Sequence, residues 1–338
     1  MSRLRKVQLT GASTFIISLP KSWAKKNNIG KGSELSIEEA ESGSLLIRQS
    51  GFRPKEARTI LNISSATKMV DLERALVSAY LNGFTTIEIA SSHTLPRQMK
   101  RDLESVLKRM TGFEITEEKP ERLLIQDFFS DKAFSFERTL KRCHSISIRM
   151  QEDLWLAIEN KDPAMLKAVL ELEIEIDRLS FLAKRQLRSA VSRPYLLETF
   201  NFKQNQLVEY YLVFEMEERI SDRLSDSAEE LLNMPDVFPS SEATAILKEA
   251  HEFTLSHHKA TLKAFFESDS ATANRLIDSV SEFRRKRTER MRRLLATKGP
   301  KSTSSILMTR FGEVARLSGD ICEAVLDIPP QDPLSREI

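Results

Sequence analysis

At 338 residues, 41% hydrophobic and 30% charged, the chain has the size of two or three soluble globular domains. It has only Cys143 and Cys322, which exclude a disulfide framework and a cysteine-based zinc site, and no apolar run of about 18 residues that would span a membrane. The opening MSRLRKVQLT lacks the apolar core of a secretion signal, so the cytoplasm is the expected location of a protein that is not integral to a membrane.

The formal charge of +2 is concentrated in the first fifty residues. Arg3, Arg5, Lys6, Lys21, Lys25, Lys26, Lys31 and Arg48 stand there against Glu34, Glu38, Glu39 and Glu41. A small module with this imbalance has the electrostatic footprint of something that meets a polyanion, most often nucleic acid. Residues 14 to 19 and 34 to 38 alternate apolar and polar positions, which suits half-buried strands. Thr10 to Ser13 and Glu41 to Ser44 read as hairpin turns. Between them Pro20 fits the first position of a short helix, and Gly30 can end it in a left-handed conformation. Strands this short bury little apolar surface alone, so a partner is expected to complete the core.

Residues 4 to 49 resemble the AbrB/SpoVT family. The resemblance implies a swapped-hairpin β-barrel that forms only as a homodimer and binds DNA through a basic face. It implies DNA contacts for Arg5 and Lys6 at the first strand and for Lys21, Lys25 and Lys26 on the short helix, and Arg3 is included as a neighbouring cation. The chain departs from the family at Ala12-Ser13-Thr14, where DNA-binding members often carry Gly-Arg.

Residues 56 to 127 read as a small α/β domain. Strand patterns at 59 to 63, 85 to 89, 113 to 116 and 123 to 125 are interrupted by helical patterns ending at Gly83 and at Met110, giving the order β-α-β-α-β-β. No glycine-rich phosphate loop, nucleophile elbow or carboxylate pair is found there. A spacer or dimerisation role is the reading that remains.

From about residue 131 long amphipathic segments follow, at 133 to 160, 163 to 192, 203 to 233, 240 to 268, 270 to 297 and 302 to 327. Val169, Leu172, Ile176, Leu179, Ala183 and Leu187 keep helical steps in the second, and Val213, Met216, Ile220, Leu224, Ala228 and Leu231 in the third. An offset of 107 places His144 on His251, Asp162 on Asp269 and Val169 on Leu276, as a duplicated unit would. The expected architecture is multidomain and mainly α: a head at 1 to 51, the α/β unit at 56 to 127, and tandem three-helix bundles at 131 to 233 and 240 to 328.

Glu173 and Asp177, and likewise Glu218 and Asp222, are spaced i, i+4, which puts each pair on one helical face. Residues 131 to 328 resemble the PhoU family, whose motif is a carboxylate, three residues, then Asp. That resemblance implies that Glu173, Asp177, Glu218 and Asp222 bind a metal cation, iron or another divalent ion. The second copy departs from the motif, with Val280 at the position of Glu173 and Arg284 at that of Asp177. There Arg284, Arg285 and Arg287, with Arg316 in the last helix, form a candidate patch for an anion or an acidic partner.

Taken together the resemblance is to an archaeal-type phosphate uptake regulator with a DNA-binding head. It implies a transcriptional regulator or, alternatively, an adaptor that contacts a phosphate transporter ATPase or sensor kinase and uses its head only to dimerise. A di-metal enzyme would add Glu-x-x-His ligands, which the motif helices lack, so no catalytic residue is assigned. The adjacent His257 and His258 project about 100° apart on a helix and read as structural.

Overall fold

The computed structural model describes residues 4–11, 13–39, 43–49, 57–131, 134–193, 195–233 and 238–328. Contacts divide the chain into a head, Met1–Glu56, and a body, Ala57–Ile338.

The head consists of two hairpins and a short helix. Strands β1 (Gln8–Thr10) and β2 (Thr14–Ile16) pair antiparallel, with Leu9 opposite Phe15, and Gly11 turns the hairpin at φ +67°. Helix α1 (Lys21–Lys26) follows, with Pro20 at its N-cap rather than inside it. The left-handed residue beyond the helix is Asn28, at φ 52°, and not Gly30. Asparagine tolerates this region, so the chain turns two residues earlier than glycine placement suggests. Strands β3 (Leu35–Glu39) and β4 (Leu45–Gln49) form a second, separate two-stranded sheet.

The body begins with β5 (Arg58–Ile63), α2 (Met69–Leu81), β6 (Thr86–Ser91), α3 (Arg97–Leu107), β7 (Phe113–Lys119) and β8 (Arg122–Asp127). The sheet order is β5-β6-β8-β7; β5 and β6 run parallel across α2, and the other pairs are antiparallel. Ile87, Ile89, Leu123 and Ile125 face one side and pack against Leu72, Leu76 and Tyr80 of α2 and Leu103 of α3. Glu88, one residue out of phase, pairs instead with Arg58 and Arg122. Period-two patterning thus gives a two-layer unit with one apolar face.

Six long helices complete the body: α4 (Phe136–Asn160), α5 (Pro163–Ser192), α7 (Leu207–Asn233), α8 (Ser241–Glu267), α9 (Ser270–Ala296) and α10 (Lys301–Asp327). A short α6 (Tyr195–Phe200) and a tight turn at Gln204–Gln206 fill the connection that sequence periodicity merges into the third helix. Phe200 and Phe202 pin this connection to Phe136 and Tyr210.

The duplication is written into helix ends. Lys161 and Ser268, both left-handed, close α4 and α8, and the next residues, Asp162 and Asp269, cap α5 and α9 with their carboxylates. Equivalent residues meet where α4 packs on α8: Gln151 touches His258 and Glu152 touches Lys259, each pair 107 residues apart. Such self-pairing is what a two-fold relation between the halves produces. Beside it, Glu217 of α7 is fully buried and bonded to His144 and His258, which hold its carboxyl far below the usual range against the opposing effect of burial.

The α/β layer is fastened to the first bundle by Arg185 of α5. Its buried guanidinium donates to the carbonyls of Tyr80 (2.6 Å) and Phe84 (3.0 Å) and to Asp127 (2.5 Å), and it lies over the rings of Tyr80 and Phe113. Gly83 serves the same contact: at φ +78° it ends α2, and a Cβ there would come within 3.1 Å of Ser189 Oγ. Removing the cation leaves Asp127 without its charge partner, so Arg185→Ala is expected to cost about 3 kcal/mol or more. Hydrogen exchange should show β5 to β8 opening ahead of the helices. Uniform protection of both parts in the variant would refute the assignment.

Candidate metal centre and charged surfaces

Glu173 and Asp177 lie one turn apart on α5, and Asp222 faces them from α7; their carboxylates lie within 4.8 Å of one another. Glu218, expected to be the fourth member, is taken elsewhere. The buried ammonium of Lys184 reaches between the helices and pairs with both Glu218 and Glu215, the latter at 2.6 Å. A cation on the helix that carries the first carboxylate pair therefore divides the expected four acids into a triad and an ion pair.

The triad is electrostatically unsatisfied. Burial, then repulsion from Asp177 and Asp222, pushes Glu173 up to about 7. Asp177 is raised by burial and by Glu218, and Asp222 by burial and by Asp177. Arg109, in the turn after α3, gives Asp177 a contact of 3.3 Å but shares its guanidinium with Glu73. Three converging carboxylates short of positive charge fit a hard divalent cation, which prefers oxygen ligands.

At equivalent positions of the second bundle the chemistry is inverted. Val280 and Arg284 replace Glu173 and Asp177, and Arg316, the sixteenth residue of α10, replaces Asp222, the sixteenth of α7. Arg316 pairs with Asp320 at 2.7 Å. Arg284, Arg285 and Arg287 are exposed; Arg284 and Arg287 have no carboxylate partner among the described residues, and Arg285 adds to Lys286 in holding Glu282 below its ordinary range. Arg290 is the cation of this run that turns inward, lying over the Phe283 ring and near Glu249.

In the head, Arg5, Lys6, Lys21, Lys25 and Lys26 are all exposed, and none has a carboxylate partner among the described residues. Arg3 lies outside the described residues. The trio of His144, Glu217 and His258 is not visible in the sequence, because its members sit on three helices and share no local spacing. The one available signal is the 107-residue offset, which places a glutamine opposite His258.

The family model described as antidote-toxin recognition MazE, bacterial antitoxin, matches residues 8–59. Two solved structures are similar to the body. PhoU from Pseudomonas aeruginosa is 12% identical, with 56% of this chain and 93% of that one covered at a TM-score of 0.43. The phosphate transport system regulatory protein PhoU from Streptococcus pneumoniae is also 12% identical, with 60% and 96% covered at 0.49. No curated protein matches the sequence.

Glu173 gives the triad a pH signature. Its folded pKa of about 7 lies above the ordinary 4.5, so between those values the folded chain keeps a proton that the unfolded chain has released. Stability should therefore fall as pH rises through this window in the presence of chelator, with the penalty absent below it and complete above it. Magnesium or manganese at pH 8 should raise Tm, and Glu173→Gln should flatten the pH dependence. A melting curve indifferent to both would remove the triad as a cation site.

Proposed function

We propose that the protein is a dimeric, DNA-binding regulator of phosphate uptake that works in the cytoplasm and whose helical body responds to a metal ion or a partner. The head carries this reading. Among its described residues none is buried; Leu9, Phe15, Ile37 and Leu45 are each at least 60% exposed on hairpins of two strands. Isolated hairpins with an uncovered apolar face are not stable alone, and a second copy of the same hairpins supplies the missing layer as a closed barrel. Five exposed cations on that module, none with a carboxylate partner among the described residues, then give the dimer two basic surfaces. The match of residues 8–59 to a family model and the resemblance to AbrB/SpoVT domains support the same reading.

The link to phosphate rests on the resemblance of residues 131 to 328 to the PhoU family. Within the body, Glu173, Asp177 and Asp222 would hold a divalent ion, iron or another, which supplies positive charge where three carboxylates repel one another. Arg109 shares Asp177 with that site, so cation occupancy would compete with the α/β layer for the carboxylate.

A second reading, an adaptor that controls a phosphate transporter ATPase or sensor kinase by direct contact, is favoured by the exposed run of Arg284, Arg285 and Arg287 on α9. In it the head serves dimerisation alone.

Sedimentation of the full-length chain should show a dimer, and Phe15→Glu should give monomers. Titration with duplex DNA from its own upstream region should weaken steeply with salt. Replacing Lys21, Lys25 and Lys26 by alanine should reduce the salt slope by about one for each phosphate that is no longer neutralised. Absence of DNA binding by a folded dimer at low salt would leave the adaptor reading.

A further inference from the structure

At the centre of the body the two halves place different side chains at equivalent positions. His144 corresponds to His251 and Gln151 to His258 by the 107-residue offset, and Glu217 corresponds to Phe311, each the eleventh residue of its helix. The second half fills the position with an aromatic ring, and His251 packs against Phe311 and Trp155. The first half instead places a buried carboxylate there, between His144 of α4 and His258 of α8. Replacing a buried ionic cluster by apolar groups is often neutral or stabilising, so packing alone does not account for the three polar residues.

We infer that His144, Glu217 and His258 form a transition-metal site, distinct from the all-carboxylate triad. Glu217 Oε1 lies 2.8 Å from His144 Nδ1 and 3.2 Å from His258 Nε2, and the three ligand atoms are within 4.8 Å of one another. Two imidazole nitrogens and one carboxylate favour ions such as zinc or iron(II) over magnesium or calcium. Supporting bonds are present: Ser147 Oγ donates to Glu217 Oε2 at 2.8 Å, and the Gln151 amide lies 2.7 Å from His258 Nδ1.

Gln151 supplies the second observation. It is 1% exposed, and its Oε1 has no hydrogen-bond partner among the described residues. With the amide nitrogen toward the ring, His258 Nδ1 accepts and the imidazole proton sits on Nε2, against Glu217. A metal on Nε2 needs that proton on Nδ1, and a half-turn of the amide brings the spare oxygen round to receive it. His144, 13% exposed at its side chain, gives the otherwise closed cluster a route to solvent.

The test uses the full-length chain stripped with chelator and titrated with cobalt(II) as a zinc probe. One equivalent should produce visible bands of nitrogen-ligated cobalt that zinc displaces, and Asp177→Asn with Asp222→Asn should leave them intact. Glu217→Gln should abolish the bands, and Gln151→Leu should weaken binding about 10- to 100-fold. Bands unchanged in Glu217→Gln, or a wild-type chain that shows none at saturating cobalt, would overturn the site. Because substitutions in the core can impair folding, X-ray absorption of the zinc-loaded wild type decides independently: imidazole scattering supports the site, and an all-oxygen shell overturns it.

Discussion

Much of the body's organisation depends on one buried cation. Arg185 satisfies two carbonyls and a carboxylate of the α/β unit from within a helix of the first bundle, so the sheet and its helices cannot move away from α5 without stranding charge in a dry place. That docking brings the turn after α3 over the bundle and lets Arg109 reach Asp177. The equivalent arginine of the second half, Arg292, is exposed on α9, and there the α/β layer has no counterpart among the described residues. One duplicated unit thus has two fates. In the first half the latter part of α5 is covered and largely buried; in the second, the same stretch of α9 remains a charged surface.

This difference separates the charges. The covered half concentrates carboxylates around α5 and α7, where burial raises their proton affinity and a cation would find ready-made ligands. The open half carries arginines whose planar forks suit carboxylate or phosphate groups equally well. A nearly neutral chain therefore has local surfaces of both signs, which net charge conceals.

How much of this is legible in the sequence differs by element. The head's strands and the long helices follow from periodicity, which depends only on near neighbours. Spacing of i, i+4 puts Glu173 one turn from Asp177 and Glu218 one turn from Asp222, but it does not show that Glu218 pairs with Lys184, a contact between two helices and 34 residues apart in sequence. Gly30 misleads for a related reason: Asn28 can also take the left-handed turn, and the backbone uses the earlier opportunity. Contacts between α4, α7 and α8 are out of reach of any local pattern, since the histidine partners of Glu217 lie 73 and 41 residues from it.

Duplication offers a comparison within one molecule. Where both halves need the same thing, as at the left-handed helix ends and aspartate caps, they keep the same device. At the eleventh position of α7 and α10 they differ, and beside the apolar choice His251 has an Nδ1 without a partner among the described residues and a pKa lowered to about 4 by burial. The neutral imidazole there behaves as a packing ring against Trp155. Its counterpart His144 faces a carboxylate instead, so the same residue type is a flat spacer in one half and a hydrogen-bond partner in the other. The fold accommodates both a buried ring and a buried carboxylate at this position, so closing the helices does not by itself require Glu217.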